Sequence, residues 1–260
     1  MESTLRLGDA EIPRIGLGTN RLTETTANVA FVRDAVAAGV GMIDTAHLYT
    51  GGQSEETIGA ALAGGASDVV VATKGGFGGP GHGRPGRLKV EIEKSLRRLR
   101  TDCIDLYYLH RVDPETPLED SVAAIAEYRH RGAIRHVGLS DVSIDQIQRA
   151  AAVVPIAAVQ NRYNLSEGKH DEGVIDYCEQ QDMVFVPYFP LRGEHGADLA
   201  QIAARHGATP KQIALAWLLK RSPAMLPIPG TLSLAHLKEN LGALRIALTD
   251  EEFETLALRR

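Results

Sequence analysis

Four side chains able to hold or move a proton lie in the first half of the chain: Asp44, Tyr49, Lys74 and His110. Taken singly, each has an ordinary structural explanation, since an aspartate often caps a turn and a lysine often lies at a solvated rim. Together they predict a proton-transfer site. A buried lysine paired with an aspartate stays charged, and a cation beside a phenol makes that phenol a better proton donor. A neighbouring histidine offers the phenol, or a substrate oxygen, a second hydrogen-bond partner.

Short apolar segments, each followed by a stretch of helical periodicity, must position these side chains. They recur about every 30 residues, which is the length of a strand–helix unit. Such alternation predicts an α/β fold with a parallel sheet covered by helices, and eight units favour a closed (β/α)8 TIM barrel. The eight segments are Ile15–Gly18, Gly41–Ile43, Val69–Ala72, Ile104–Leu109, Ile134–Leu139, Ile156–Val159, Met183–Pro187 and Met225–Ile228.

The residues before the first of these strands predict a small N-terminal β-hairpin. Leu5–Pro13 alternates around a Gly8-Asp9 turn, and this hairpin is expected to plug the bottom of the barrel. No linker divides the chain, so residues 1–260 are expected to form a single domain. A Rossmann-type sheet is the rival fold, but the first strand runs into Gly16-Leu17-Gly18-Thr19-Asn20-Arg21, which lacks the third glycine of the dinucleotide-binding motif.

Polar side chains follow six of the predicted strands. One polar strand end would be uninformative, but the C-terminal ends of all barrel strands meet on one face, where barrel enzymes place their chemistry. The six ends therefore predict an active site built from Asp44, Lys74, His110, Ser140 with Asp141, Gln160 with Asn161, and Tyr188.

The glycine-rich segment Gly75–Arg87 is the one compositionally unusual stretch. It lacks the lysine-serine ending of a phosphate-binding P-loop. Two interpretations stay open: a mobile loop after the third strand, or a lid whose His82, Arg84 or Arg87 touches substrate.

Composition excludes several classes of protein. With 260 residues, 44% hydrophobic, 23% charged and a net charge of −5, the chain has an ordinary soluble globular profile. Its mild acidity argues against a nucleic-acid partner, and no apolar run reaches the roughly 18 residues of a membrane span. Met1–Thr4 lacks a signal-peptide pattern, and Cys103 and Cys178 lie in apolar stretches, so we expect a cytoplasmic protein with reduced, buried cysteines.

Other kinds of catalytic site fit the sequence poorly. A metal-dependent barrel hydrolase would carry two histidines one residue apart on an early strand, and the sequence has no such pair. It also has no Gly-x-Ser-x-Gly nucleophile elbow. The fourth and seventh strands end in His110 and Tyr188, not in the paired carboxylates of many glycosidases. We expect no metal.

The ordered motifs resemble the aldo-keto reductase family over nearly the whole chain. They are Gly16–Thr19, Ile43–Tyr49, Gln53–Glu55, Val71–Lys74, Ser95–Leu99, Asp105–His110, Gly138–Ser140, Val159–Asn161, Pro187–Leu191, Ile228–Thr231 and Glu239–Asn240. The resemblance implies a catalytic tetrad of Asp44, Tyr49, Lys74 and His110. Tyr49 would protonate a carbonyl oxygen as hydride arrives from a reduced nicotinamide, Asp44 would hold Lys74 beside Tyr49, and His110 would orient the carbonyl.

The resemblance also implies a cofactor site for NADPH, with NADH as an alternative. Tyr188 would stack on the nicotinamide, while Ser140, Asp141 and Gln160 would hold its carboxamide. Leu191 and Gly193 would lie along the pyrophosphate. The adenosine end would be surrounded by Thr231, Ser233, His236, Glu239 and Asn240, and further contacts are expected from Gly18, Thr19, Asn20, Asp44, Pro190, Ile228 and Gly230.

Three departures from the family pattern bear on these expectations. Asp141 stands where an asparagine is usual, and Gly230 and His236 stand where many members carry a lysine and an arginine for the 2′-phosphate. The sequence stops soon after its last helical segment, so we expect an open pocket without the covering tail of many members.

The resulting prediction is an NADPH-dependent reductase of an aldehyde or ketone, with a pyridoxal-like or other aromatic carbonyl as substrate. A sugar ketoreductase of a biosynthetic pathway and a non-catalytic cofactor-sensing subunit are the alternatives. The protein is expected to be a monomer or a weak homo-oligomer. A set of basic side chains would either favour anionic or polar substrates at the mouth of the site or simply be solvated: Arg21, His82, Arg84, Arg111 and Arg162.

Overall fold

The computed structural model describes residues 2–64, 69–193 and 196–257. Its strands are β1 (Thr4–Leu7), β2 (Ala10–Pro13), β3 (Leu17–Gly18), β4 (Met42–Asp44), β5 (Val70–Gly75), β6 (Ile104–Leu109), β7 (Ile134–Ser140), β8 (Ile156–Gln160) and β9 (Val184–Phe185). Its helices are α1 (Thr26–Ala37), α2 (Gln53–Leu62), α3 (Pro85–Leu99), α4 (Leu118–His130), α5 (Ile144–Ala151), α6 (Glu172–Gln180), α7 (Ala197–Arg205), α8 (Pro210–Arg221), α9 (Leu234–Gly242) and α10 (Asp250–Ala257).

The strands β3 to β9 form one parallel sheet in chain order, and that sheet curls into a barrel. The eighth predicted segment closes it: Leu226 N donates to Phe185 O at 2.9 Å, and Gly16 N donates to Pro227 O at 3.0 Å. The predicted (β/α)8 barrel is therefore confirmed. Its eighth segment is not a regular strand, because Pro227 and Pro229 have no N–H groups with which to continue a hydrogen-bonded ladder.

The predicted hairpin is present, with β1 and β2 antiparallel and Leu7 opposite Ala10. Gly8 turns the chain with a φ of +59°. Leu7 and Ile12 are buried in the cluster of inward-facing barrel residues that also contains Met42, Val70, Leu106 and Leu226. Because the hairpin supplies these apolar side chains to the barrel interior, it closes the end of the barrel away from the strand termini that carry polar residues.

The helices pack around the barrel through a second apolar cluster. At the N-terminus of α8, Thr209 Oγ1 accepts a hydrogen bond from the Gln212 backbone amide, and Gln212 Oε1 accepts one from the Thr209 backbone amide, which is a complete capping box. Trp217 of this helix is buried, with its ring stacked on Phe253 at 5.4 Å and on Tyr163 at 5.9 Å between centroids. The resulting helical layer holds the strands in register from outside.

The two cysteines lie in different surroundings. Both cysteines are free, and Cys178 is buried as expected, but Cys103 is partly exposed because it lies in the turn before β6. Within the part of the chain that the structure describes, no helix is long and apolar enough to cross a membrane.

Candidate active site

The parallel strands bring the predicted proton-transfer residues to one end of the barrel. Asp44 is the last residue of β4, Lys74 lies near the end of β5, and His110 follows β6 directly. Ser140 and Gln160 end β7 and β8 and are direct partners in the register of these strands. Because neighbouring parallel strands run in the same direction, these side chains converge although they lie far apart in sequence.

A buried ion pair forms the centre of this group. Lys74 Nζ lies 2.6 Å from Asp44 Oδ1 and donates a second hydrogen bond to Thr45 O at 2.7 Å. The other carboxylate oxygen, Asp44 Oδ2, accepts from Gln160 Nε2 at 2.8 Å. Lys74 is 0% exposed, so its charge depends on these partners for compensation. The ammonium nitrogen lies 5.2 Å from the centroid of the Tyr49 ring.

Tyr49 is carried by a short segment with unusual backbone geometry. The three following residues, Thr50, Gly51 and Gly52, have φ values of +49°, +69° and +101°. Arg98 of α3 holds this segment, because its Nη1 donates to His47 O at 3.0 Å and pairs with Glu55 Oε2 at 3.2 Å. A Cβ on Gly52 would lie 2.2 Å from Arg98 Cζ, so the guanidinium group packs directly on the glycine backbone.

His110 is buried beside Tyr49, with the two ring centroids 6.1 Å apart and nearly perpendicular. The ring of Phe77 lies on its other side at 4.8 Å. Burial, and then the nearby cations Lys74 and Arg111, lower the pKa of His110 to about 2. The imidazole is therefore neutral at ordinary pH, and its Nδ1 has no hydrogen-bond partner among the described residues.

Asp141, the residue that departs from the family pattern, is engaged with its neighbours. Arg111 Nη2 lies 2.7 Å from Asp141 Oδ2, and the Tyr188 hydroxyl donates to the same oxygen at 3.0 Å. Arg111 also donates to Ser140 Oγ at 3.0 Å. Burial, and then Asp141, raise the pKa of Tyr188. Asp141 has a φ of +53°, so its side chain leaves the end of β7 in a left-handed backbone conformation.

A cavity of about 560 Å³ opens over these groups. Tyr49 and His110 line it together with eleven of the predicted cofactor residues: Gly18, Thr19, Asn20, Asp44, Ser140, Gln160, Tyr188, Pro190, Leu191, Ile228 and Gly230. Lys74 lies beneath the lining and reaches the cavity through its contact with Tyr49.

The residues predicted for the adenosine end of a cofactor lie apart from this cavity, around α9. Ser233 is the N-cap of α9, with Oγ accepting from the His236 amide, and Thr231 Oγ1 accepts from the Ser233 amide. Glu239 accepts a hydrogen bond from Thr209 at 2.6 Å and so ties α9 to α8, while Asn240 is buried. Gly193, with a φ of +123°, also lies outside the cavity lining.

The glycine-rich segment is anchored to the loop after β6. Asp113 accepts hydrogen bonds from the amides of Gly81 and Gly83 at 3.0 and 2.9 Å. Burial alone would raise the pKa of Asp113, but hydrogen bonds from Thr116 and from backbone amides lower it to about 2. Arg84 pairs with Glu115, and neither Arg84 nor His82 lines the cavity. The segment contributes Phe77, not an arginine, to the surroundings of His110.

Four contributors to the site were missed by sequence reasoning: Phe77, Arg98, Phe189 and Arg192. Phe77 and Phe189 are 43% and 41% exposed, which is unusual for large apolar side chains. Nothing in the local periodicity marks them as site residues, although Phe189 lies in the Pro187–Leu191 motif, Arg192 follows that motif directly, and Arg98 lies in the Ser95–Leu99 motif. Among the described residues, no cluster of three or more His, Cys, Asp or Glu side chains could ligate a metal ion.

Comparison with known proteins matches almost the entire chain to the family that its sequence motifs resemble. The model of the aldo/keto reductase family matches residues 14–195 and 194–257. A pyridoxine 4-dehydrogenase of Escherichia coli is 34% identical, covering 98% of this chain and 97% of the relative. An oxidoreductase of Schizosaccharomyces pombe is 38% identical over 97% of this chain and 88% of its own length.

Solved structures of similar proteins agree in fold. A thermostable aldo-keto reductase crystallised with the inhibitor epalrestat superimposes with a TM-score of 0.91 at 35% identity, covering 99% of both chains. An aldo/keto reductase of Klebsiella pneumoniae, solved with NADP and acetate, gives a TM-score of 0.89 at 32% identity, covering 98% of this chain and 94% of the other. From the family match and these full-length similarities, the chain belongs to the aldo/keto reductase family.

Proposed function

We propose that the protein is an NADPH-dependent oxidoreductase that reduces an aldehyde or a ketone to an alcohol, with Tyr49 as the general acid. One observation carries this proposal: the buried Lys74 ammonium group, held 2.6 Å from Asp44, lies against the ring of Tyr49 at the cavity wall. A fixed cation beside a phenol supports proton donation, because it stabilises the phenolate that remains after transfer.

Lys74 is suited to this role by its hydrogen bonds. An ammonium group has three N–H donors, and within the described part of the chain two of them are used by Asp44 and Thr45. We assign the third to Tyr49 Oη, because the ring of Tyr49 lies 5.2 Å from the ammonium nitrogen. Asp44 is itself fixed by Gln160, so the ammonium group stays in place while the proton leaves Tyr49 Oη for the carbonyl oxygen.

His110 supports the reaction as a neutral donor. Its pKa of about 2 keeps the ring uncharged, and a neutral imidazole carries one N–H and one acceptor nitrogen. The ring can therefore donate a hydrogen bond to the substrate oxygen and direct it toward Tyr49. Phe77 and Tyr49 restrict the tilt of the imidazole from two sides.

The cavity fits the nicotinamide half of the cofactor. Gly18 and Gly230 bring bare backbone to one wall, and a Cβ on Gly18 would lie 2.8 Å from Ile228 O. The flat ring of Tyr188 and the polar groups of Ser140 and Gln160 supply a stacking surface and hydrogen bonds for an amide. When bound, a reduced nicotinamide supplies the hydride that adds to the carbonyl carbon. The NADP-containing Klebsiella relative supports this choice of cofactor.

The N-terminus of α9 supports a modest preference for NADPH over NADH. Thr231, Ser233 and His236 lie at this end of the helix, where backbone N–H groups favour an anion such as a 2′-phosphate. Gly230 and His236 replace two fixed cations of many members. The margin between the cofactors should therefore be smaller than in members that carry both cations.

An aromatic carbonyl compound is the proposed substrate class. Phe77 and Phe189 present ring surfaces at or beside the cavity, where a planar substrate can stack while Tyr188 serves the nicotinamide. The similarity to a pyridoxine 4-dehydrogenase supports a pyridoxal-like compound within this class.

The decisive experiment compares the wild-type protein with Tyr49→Phe. Wild-type protein should oxidise NADPH when aromatic aldehydes are added. The variant lacks the transferable proton, so turnover should fall by about 10²–10⁴-fold. NADPH binding, followed by fluorescence titration, should persist. Near-normal turnover in the variant would exclude Tyr49 as the acid, and cofactor binding with no turnover of any carbonyl compound would favour a sensing subunit.

A further inference from the structure

Arginine and aromatic side chains alternate along the cavity wall formed by residues 188–192 and Arg162. The Arg162 guanidinium carbon lies 5.6 Å from the ring centroids of both Tyr188 and Phe189. Arg192 lies over Phe189 at 5.4 Å. All four side chains line the cavity, so its wall presents flat rings edged by positive charge.

The positive charge of this wall is not cancelled within the cavity. Asp44 is the acidic residue among the described lining side chains, and it is already paired with Lys74. Arg111 is paired with Asp141. Neither Arg162 nor Arg192 has a carboxylate within ion-pair distance among the residues that the structure describes. Although the chain has a net charge of −5, Arg162 and Arg192 line the cavity without an ion-pair partner among the described residues.

Of the two arginines, Arg162 is the better placed to contact a bound substrate. It contacts Tyr188, whose hydroxyl is bonded to Asp141 next to Ser140, whereas Arg192 contacts Phe189. A hydrogen bond with Tyr188, and then the more distant charges of Glu167 and Asp141, raise the pKa of Arg162. The contact with Tyr188 places the exposed guanidinium group on the side of the cavity where Asp141 and Ser140 lie, and the group remains charged at all working pH values.

From this arrangement we infer that the reductase selects aromatic carbonyl substrates that carry a negatively charged group, and that Arg162 is the residue that recognises this charge. The inference rests on the proposed function. A guanidinium group offers paired N–H donors that match a carboxylate or a phosphate, while the adjoining ring of Phe189 can stack on the aromatic part. Neutral aromatic carbonyls can use the rings but not the charge.

The test compares two aldehydes that differ in charge, 4-carboxybenzaldehyde and its methyl ester. The ester group also withdraws electrons more strongly and so favours hydride addition, but this intrinsic difference cancels when the ratio of the two kcat/KM values is compared between wild type and variants. Wild-type protein should show the higher kcat/KM for the carboxylate. In Arg162→Met the ratio of the two kcat/KM values should fall by about tenfold, as expected for loss of a hydrogen bond to a charged group. Arg162→Lys should retain part of the preference. Added salt should reduce the wild-type ratio because it screens the charge.

The matched control is Arg84→Met, which removes one positive charge from an exposed arginine that pairs with Glu115 outside the cavity. This control should leave the ratio unchanged. An equal fall in both variants would mean that only overall charge matters, and an unchanged ratio in Arg162→Met would overturn the inference. Weaker NADPH binding in Arg162→Met with the ratio preserved would assign the arginine to the cofactor instead, and would also overturn it.

A binding measurement separates this inference from the proposed function. Titration calorimetry with the corresponding alcohols, 4-(hydroxymethyl)benzoate and its methyl ester, needs no turnover and is done with NADP present. Tighter binding of the carboxylate, lost in Arg162→Met, supports the charge recognition. Equal binding of the two alcohols refutes it. Failure of the proposed reductase function would appear separately, as the absence of NADPH oxidation with either aldehyde.

Discussion

At the scale of single residues, the pairing of Asp141 with Arg111 sets the charge beside Tyr188. From the sequence, two positions of Asp141 are open: as a loop residue it would point to solvent, whereas pointing inward its carboxylate would favour the cationic, oxidised nicotinamide. The 2.7 Å contact with Arg111 brings the pair close to neutrality, so the effect of Asp141 operates through its partner.

Asp141→Asn should therefore leave Arg111 uncompensated and disfavour the oxidised cofactor. Both side chains are partly exposed, which limits the effect to about 1 kcal/mol, or roughly fivefold in the ratio of the NADP and NADPH dissociation constants. Fluorescence titration of both cofactor forms measures this ratio. Asp145→Asn, at an exposed helix position, is the matched control and should not change it. Identical ratios in wild type and Asp141→Asn would show that the pair does not face the nicotinamide.

His110 couples the site to the pH dependence of folding. Its folded-state pKa of about 2 lies below the value near 6.5 of an unfolded histidine. As the pH falls below about 6.5, the unfolded chain takes up a proton that the folded chain does not, so stability present above this pH is lost. Compared with that of His110→Gln, the free energy of unfolding of the wild-type protein should fall by up to about 1.4 kcal/mol for each pH unit below about 6.5.

Urea denaturation at a series of pH values measures this difference. The corresponding change at exposed His130, His130→Gln, serves as the control for removing a histidine. If the curves of wild type and His110→Gln run parallel between about pH 5 and 7, the buried imidazole is not neutral in the folded protein.

At the scale of elements, α3 positions the segment that carries Tyr49. Arg98 bonds His47 and Glu55 on either side of the left-handed residues Thr50, Gly51 and Gly52, whose conformation needs such support. Small displacements of a reacting group are costly, so Arg98→Met should lower kcat by roughly 10- to 100-fold with little effect on NADPH binding.

The kcat and the melting temperature of Arg98→Met are compared with those of Arg97→Met, a variant of the exposed neighbouring arginine. The control should retain wild-type kcat. A folded Arg98→Met with unchanged kcat would show that Thr50, which donates to Leu22 O at 2.6 Å, suffices to hold the segment.

At the scale of the whole molecule, the barrel is closed by few hydrogen bonds. The eighth segment, which lies between β9 and β3 in the closed barrel, contains Pro227 and Pro229. Gly18 of β3 packs closely against this segment, since a Cβ on Gly18 would lie 2.8 Å from Ile228 O. Gly18→Ala should push these walls apart and destabilise the protein by about 1–3 kcal/mol, the usual cost of overpacking.

Urea unfolding checks this value against Gly86→Ala in the first turn of α3, where a Cβ would meet nothing within 4 Å. The control should be neutral or up to about 1 kcal/mol more stable, because alanine favours a helix more than glycine does. Equal stability of the two variants would mean that the closing segment can shift without cost.

Residue types and their local spacing were sufficient to predict the architecture and the end of the barrel at which the candidate site residues lie. Apolar segments with a strand–helix repeat can hardly be buried except in a covered parallel sheet, and the polar residues at their ends must then share a face. The N-terminal hairpin followed from the Gly8-Asp9 turn in the same way. These features depend on residue type and local spacing, which a sequence displays directly.

Which side chains meet became clear from the three-dimensional packing. Gln160 reaches Asp44 across the barrel, Arg98 reaches the segment of Tyr49 from a helix, and Arg111 neutralises Asp141. Because of its prolines, the eighth segment closes the barrel through isolated bridges instead of a regular strand. Such contacts join residues distant in sequence through rotamers and packing, and the same local pattern is compatible with many pairings. For that reason the strand ends that hold the candidate proton-transfer residues could be predicted from the sequence, whereas the partners of these residues and the charge of the cavity wall could not.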